Sequence, residues 1–79
     1  MDNTKVYNVK DFKKSYIIEI LKEVEEILEE RGYNSVNQIT GYLMSGDPGY
    51  ITSYKDARKL ICSIDRAKII ELLVNEVVK

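Results

Sequence analysis

The sequence predicts an all-α protein: a small bundle of about four helices with one additional short turn helix. Apolar residues recur at steps of three and four along most of the chain, which is the period of an amphipathic helix. All four glycines and the only proline lie within residues 32–49, so the breaks between helices concentrate there. No stretch alternates apolar and polar residues convincingly enough to predict a strand. A chain of 79 residues forms at most one domain.

The N-terminal segment differs from the rest of the chain. Residues 1–14 are polar and lack a helical period, so we expect a flexible N-terminal tail followed by a single helical domain over residues 15–79. Tyr7, Val9 and Phe12 would allow part of this tail to pack as an extended segment.

The first two helices have boundary signals at both ends. Ser15 and Asn34 are residue types that cap helix N-termini, and Gly32 and Gly46 suit the left-handed residue that ends a helix. Gly41, inside the second helix, would permit close approach of another helix. The apolar positions of the first helix are Ile17, Ile20, Leu21, Val24, Ile27 and Leu28.

Residues that commonly cap helix N-termini precede both the predicted short turn and the third helix. Asp47 can cap, and Pro48 is preorganised for a first helical position, so a single turn is predicted there. Ser53 followed by Asp56 resembles a capping box and predicts the start of the third helix. The residues of that helix predicted to point inward are Ala57, Leu60 and Ile61.

The last helix, which starts after Ser63 or Asp65, has more apolar residues than one face needs. It lies between two other helices or turns part of its surface to a second subunit. A core this small is marginal, and Cys62 is the only cysteine, so no disulfide within the chain can support it. We therefore expect a symmetric homodimer, paired through apolar faces of the central segment and the last helix. The apolar residues are Ile69, Ile70, Leu72, Leu73, Val74, Val77 and Val78.

Composition argues against several classes of protein. The net charge is −1, but residues 15–31 are acidic whereas residues 1–14 and 54–79 are basic, which suits contact with a partner or between subunits of an oligomer. For any single charge, a solvated helix face is the simpler explanation. No apolar run approaches the ~18 residues of a membrane span, and the N-terminus lacks a secretory signal. A lone thiol without an export signal fits the cytoplasm. With no histidine and one thiol, we expect no metal and no cofactor.

The residues also argue against catalysis. A nucleophile needs an activating base, but Cys62 has only basic neighbours in sequence, and we expect it to be a small core-filling thiol. The glutamates of the first helix lie on one solvated helix and do not flank a cleft. The stretch GDPGY lacks the spacing of a phosphate-binding loop and no strand precedes it, so it is predicted to be a turn.

Nucleic-acid binding is the alternative function. Two short helices joined by a turn are similar to a helix-turn-helix, but the second helix offers Asn37 and Gln38 and no positive charge. We therefore expect no nucleic-acid partner. These two amides instead bond to backbone at a helix junction, which we favour, or to a facing subunit. The few basic residues nearby are Arg58, Lys59, Arg66 and Lys68.

Thr4 is the remaining candidate for chemistry. A hydroxyl in a loose tail can enter the cleft of a kinase in extended form. A phosphate there would add roughly −1.5 to −2 charges, which basic groups such as Lys5, Lys10, Lys13, Arg58 or Arg66 could bind.

A long motif gives a family resemblance. The stretch RGYNSVNQITGYLMSGDPGYITSYKDAR, with the later DRAKIIELLV, closely resembles the IreB/ReoM family over residues 31–74. The resemblance implies a small cytosolic helical homodimer of Gram-positive bacteria, phosphorylated by a membrane-anchored, cell-wall-sensing Ser/Thr kinase. Such proteins control peptidoglycan synthesis and tolerance of cell-wall antibiotics. In part of the family they promote proteolysis of the first committed enzyme of precursor synthesis through a Clp protease, and phosphorylation relieves this activity.

The resemblance also implies roles for individual residues. The match NTKVYNV places the family's phosphoacceptor on Thr4, and no second tail threonine is present. Arg58 and Arg66 match arginines that resemble partner-binding positions. Ser53 and Cys62 stand where basic residues are common, and Ser35 and Thr52 where prolines are common. The sequence thus predicts a non-catalytic regulator in which a phosphorylated tail masks a partner surface.

Overall fold

The structure, a computed structural model, describes residues 9–79, with side chains from Lys13 onward. Within this part of the chain the α-helices are α1 (Val9–Glu30), α2 (Ser35–Ser45), α3 (Ala57–Cys62) and α4 (Arg66–Val78). Two 3₁₀ turns, Pro48–Tyr50 and Tyr54–Asp56, lie between α2 and α3. No strand occurs in residues 9–79, so the all-helical prediction of four helices is confirmed, with two short turns where one was predicted.

Helix α1 begins earlier than predicted. It already runs from Val9, so Ser15 lies inside the helix and its predicted role as N-cap is wrong. Residues 9–14 are helical here and do not form an extended segment. They contain no Gly or Pro, and adding residues to an existing helix is easy compared with nucleating one. The remainder of the predicted tail, residues 1–8, lies outside the described residues.

A hydrogen-bonded glycine motif ends α1. Gly32 has a φ of 83°, and its N–H donates to the carbonyl of Glu29 at 3.0 Å. The N–H of Tyr33 donates to the carbonyl of Leu28, also at 3.0 Å. This is the Schellman pattern, which satisfies carbonyls that the helix end leaves without partners. The chain then turns into α2, where Asn34 accepts from the N–H of Asn37 at 3.1 Å as the predicted N-cap.

The hydrophobic core lies between α1 and the elements that follow it. α1 supplies a row of buried side chains at helical spacing: Ile17, Ile20, Val24, Ile27 and Leu28. The rest of the core comes from Tyr42, Ile51, Ala57, Ile61, Ile64, Ile69 and Leu72. Burial of one such aliphatic side chain contributes about 1.5–3 kcal/mol. α1 packs directly on α3 and α2, so the segment between those helices is held close to the core.

The start of α3 departs from the predicted capping box. Ser53 makes no capping bond with its side chain, and the prediction is wrong because Lys55 and Asp56 have left-handed φ values of 50° and 62°. Instead, the hydroxyl of Thr52 accepts from the N–H of Tyr54 at 3.2 Å. Positive φ values at residues other than glycine are strained, so contacts elsewhere must hold this turn.

The predictions for α3 and α4 are confirmed for the core positions and wrong for Cys62. Ala57 and Ile61 are fully buried, and Leu60 packs against the core, as predicted. Cys62 is exposed, so its prediction as a core-filling thiol is wrong. It follows Ile61 directly and therefore points about 100° away around the helix axis. Asp65, not Ser63, caps α4 by accepting from the N–H of Ala67 at 2.9 Å.

Candidate functional site

The connection between α2 and α3 begins with a loop, residues 46–51. Hydrogen bonds within the loop and to the end of α2 fix its backbone. Gly46 has a φ of 78°, and its N–H donates to the carbonyl of Tyr42 at 2.7 Å. Asp47 accepts from the N–H of Gly49 at 2.8 Å, and Pro48 occupies the start of the 3₁₀ turn. The N–H of Ile51 then donates to the carbonyl of Pro48 at 3.0 Å. We refer to this segment as loop 46–51.

Arg66 lies against the start of loop 46–51. Its Nη1 donates to the carbonyl of Leu43, in the last turn of α2, at 2.8 Å. A methyl group placed on Gly46 would come within 2.8 Å of the guanidinium, so the glycine makes room for the arginine. A cation at the C-terminal end of a helix also interacts favourably with the helix dipole.

Arg58 and Gln38 hold the other end of the same loop. Arg58 donates through Nε to the carbonyl of Ile51 at 2.9 Å. Gln38 donates through Nε2 to the carbonyl of Tyr50 at 2.8 Å, which confirms for this residue the predicted backbone bond at a helix junction. The side chain of Asn37 is exposed, and this residue contributes its backbone N–H to the cap of α2.

Gly41 allows the ring of Tyr50 to lie on α2. A Cβ atom at position 41 would overlap this ring, so the close approach that the sequence predicted is made by a side chain and not by a helix. Loop 46–51 therefore has Arg66 bonded next to its start and Gln38 and Arg58 bonded at its end, and its Tyr50 ring lies on a helix surface left open by Gly41.

Two glycines with nearly equal φ values provide a test of the Arg66 contact. Gly32→Ala and Gly46→Ala both place a Cβ in the left-handed region, which costs about 1–2 kcal/mol. Nothing lies near a Cβ at position 32, whereas one at position 46 would displace Arg66. We expect Gly46→Ala to lower the free energy of unfolding by about 1 kcal/mol more than Gly32→Ala, measured by urea denaturation. Equal losses would contradict the contact.

A buried hydroxyl lies behind the loop. Burial raises the pKa of Tyr42 to about 12, with the hydrogen bond to Cys62 acting in the same direction and the charge of Arg66 opposing it. The hydroxyl therefore stays protonated near neutral pH. It links α2 to Cys62, the last residue of α3.

A second cluster joins the end of α1 to the strained turn before α3. Lys55 Nζ lies 3.2 Å from both carboxylate oxygens of Glu30, and this hydrogen bond raises the pKa of Lys55. The hydroxyl of Tyr54 lies 3.4 Å from Glu30, and Arg31 lies over the Tyr54 ring with Cζ 4.6 Å from its centroid. These exposed contacts are individually weak, and they surround the left-handed backbone at Lys55 and Asp56.

Glu29 fixes the start of α2. Its Oε2 accepts from the hydroxyl of Ser35 at 2.7 Å and from the Ser35 N–H at 3.2 Å. Both bonds favour the charged carboxylate, so they lower the pKa of Glu29. Ser35 thus provides a hydroxyl donor where the family resemblance implies that proline is common.

This bond predicts a pH-dependent effect of Glu29→Gln. Because the pKa of Glu29 is lowered in the folded state, its stabilising contribution is present above the unfolded pKa and is lost as pH falls through the folded value. We expect Glu29→Gln to lower the urea midpoint at neutral pH and to approach the parent protein near pH 3. In a Ser35→Ala background the neutral-pH difference should shrink. A difference that is constant with pH would contradict the contribution of this bond.

The start of α1 and the end of α4 are joined by an ion pair. Lys14 Nζ lies 2.7 Å from Glu76 Oε2, and this contact lowers the pKa of Glu76. Only two apolar residues of α4, Ile69 and Leu72, are buried. The helix therefore presents an exposed apolar face, which consists of Ile70, Leu73, Val74, Val77 and Val78.

The site residues predicted from the sequence have different outcomes. Arg58 and Arg66 lie at the two ends of loop 46–51, and Gly46, Asp47 and Pro48 belong to its start. Thr4 lies outside the described residues. Among the side chains that the structure describes, no group of His, Cys, Asp or Glu is arranged to hold a metal ion. No helix in the described part of the chain is long and apolar enough to cross a membrane.

A comparison with protein families matches the chain to a described family. The model of the family described as "IreB regulatory phosphoprotein" matches residues 2–79. The match covers almost the whole chain, including the position of Thr4, all four helices and loop 46–51.

Proposed function

Because the chain belongs to the IreB family of regulatory phosphoproteins, we propose that it is a regulator without catalytic activity of its own, switched when a Ser/Thr kinase phosphorylates Thr4. The process under its control is peptidoglycan synthesis, and with it tolerance of cell-wall antibiotics. The observation that supports this proposal most is the match over residues 2–79, which includes the tail and the helical body. The protein acts in the cytoplasm.

The position of α1 determines what a phosphate on Thr4 can reach within one chain. Thr4 precedes Val9 by five residues, a span of at most about 17 Å. After Lys5, which is adjacent to Thr4, the next basic residues are Lys10, Lys13 and Lys14 in the first two turns of α1. The phosphate adds about −1.5 to −2 charges and strong acceptor oxygens, and such lysines would bind it.

Binding of the phosphorylated tail would change the surface at this end of the molecule. A phosphate that binds Lys14 competes with Glu76, whose ion pair joins the end of α4 to α1. A tail folded back in this way would lie over the end of α4, because only three residues, at most about 10 Å, precede Thr4, and Arg66 is about ten residues or roughly 15 Å from Glu76 along the helix. Phosphorylation would then hinder a partner that binds the surface with Arg66 and Arg58 and also contacts this end of α4.

The active form is a homodimer. The exposed apolar face of α4 is continuous along the helix, with Val77 82% and Val78 70% exposed in the single chain. A symmetric dimer would cover this face in both copies. Through its partner surface the unmodified dimer promotes proteolysis of a peptidoglycan-precursor enzyme by a Clp protease system, and phosphorylation of Thr4 relieves this activity.

Comparison of the two forms of the protein tests the proposal. Unmodified protein and protein phosphorylated on Thr4 are immobilised separately and incubated with cell extract, and bound proteins are identified by mass spectrometry. We expect the unmodified form to retain components of a Clp protease system or a precursor-synthesis enzyme, and the phosphorylated form to retain much less. Equal retention by both forms would contradict the switch. An Arg58→Ala variant serves as the control for binding through the proposed surface.

A further inference from the structure

Three side chains from three helices donate hydrogen bonds to backbone carbonyls in or next to loop 46–51. Gln38 comes from α2, Arg58 from α3 and Arg66 from α4, and their carbonyl partners belong to Tyr50, Ile51 and Leu43. Only two of the three donors are charged. Leu43 precedes the loop by three residues, and Tyr50 and Ile51 form its end, so the three donors bind on both sides of the loop and together suggest a role in fixing its conformation.

Two glycines also leave space for side chains in and next to this loop. The missing side chains of Gly41 and Gly46 leave space for the Tyr50 ring and the Arg66 guanidinium. Ile51, at the end of the loop, is fully buried, whereas Asp47, Pro48 and Tyr50 remain exposed. The loop therefore presents three side chains of different chemistry from a backbone that is fixed at both ends.

We infer that Arg58, Arg66 and Gln38 are positioning residues that fix loop 46–51, and that a partner recognises this loop and not the charges of the two arginines. The inference rests on the proposed regulatory function. It specifies which groups of this chain the partner protein would contact. The partner would be a protein surface with an apolar depression for Pro48 and Tyr50 and a basic group for Asp47. Arg58 and Arg66 would act on binding through the loop.

Hydrogen exchange of the purified protein, followed by NMR, tests the positioning role. The reporters are the amides of Gly46 and Ile51, which are bonded within the loop and its junction with α2. We expect Arg66→Ala to accelerate exchange at Gly46, and Arg58→Ala and Gln38→Ala to accelerate it at Ile51, each by about fivefold or more. The amide of Val24, in the core of α1, shows whether a variant is still folded. Unchanged exchange in the arginine variants would overturn the inference.

Two further variants separate positioning from charge. Arg58→Lys keeps the positive charge but cannot place a guanidinium Nε on the carbonyl of Ile51. It should accelerate exchange as Arg58→Ala does. Lys59→Ala removes an exposed charge one residue further along α3 and should leave the loop amides unchanged.

A cellular readout tests whether the partner recognises the loop. The level of the first committed enzyme of peptidoglycan precursor synthesis is compared in cells that express each variant. Arg58→Lys and Gln38→Ala should both lose the effect of the parent chain, while Lys59→Ala keeps it. If Arg58→Lys or Gln38→Ala retained full activity despite a loosened loop, charge and not position would be recognised. If the parent chain itself had no effect on this enzyme, the proposed function would fail, and hydrogen exchange would still decide the positioning role.

Discussion

Replacing Ile69 with alanine is expected to lower the free energy of unfolding by about 2–5 kcal/mol. Ile69 is fully buried at the point where α4 joins the core, so the variant loses apolar burial and leaves a cavity. A chain of this length has a net stability of roughly 4–12 kcal/mol, so the loss is a large share of the total. Urea denaturation followed by circular dichroism measures the change.

The next residue of the same helix provides a matched control. Ile70 is 42% exposed in the single chain, and Ile70→Ala should cost less than about 1 kcal/mol at low protein concentration. If the apolar face of α4 forms a dimer interface, this cost should increase with protein concentration, because dissociation is coupled to unfolding. Equal costs for Ile69→Ala and Ile70→Ala at all concentrations would contradict the described packing of α4.

The second large effect is expected from Val74→Glu, which should convert the proposed dimer into monomers. Val74 lies in the exposed apolar face of α4, so the substitution leaves the core of a single chain intact. In a symmetric dimer each substitution is present twice, and burial of an unpaired carboxylate costs several kcal/mol. The dissociation constant should increase by at least about 100-fold, or close to 3 kcal/mol.

Sedimentation equilibrium at micromolar concentration measures this change. The parent protein should sediment with the mass of a dimer, and Val74→Glu with that of a monomer. Met44→Glu is the control, because Met44 is 83% exposed on α2 and lies outside the apolar face of α4. It should remain dimeric. A parent protein that sediments only as a monomer would contradict the proposed dimer.

The features that the sequence predicted well are those set by neighbouring residues. The glycine after α1 and the asparagine before α2 act within one helical turn, so their residue types carry the information. Burial along α1 follows the same logic, because its apolar spacing alone identifies the face that meets the core.

The wrong predictions concern positions where neighbouring segments or residues distant in sequence determine the structure. A local pattern carries no information about them. Ser15 looks like a cap, but the preceding residues also form helix. Ser53 and Asp56 have the spacing of a capping box, yet the backbone at Lys55 and Asp56 is left-handed, and Lys55 contacts Glu30, 25 residues earlier in the chain. The bond from Arg66 to the carbonyl of Leu43 spans 23 residues and leaves no local signal. The part of the candidate site built from such contacts could only be seen in the folded chain.

The central claim is that Thr4 is the residue through which a kinase controls this protein. Its most direct test is incubation of the purified protein with the cognate Ser/Thr kinase and ATP, followed by peptide mapping by mass spectrometry. We predict one phosphate on the N-terminal peptide that contains Thr4, its absence in Thr4→Ala, and its retention when Thr40 or Thr52 is replaced by alanine. Phosphate found only elsewhere, with Thr4→Ala modified as fully as the parent protein, would contradict the account.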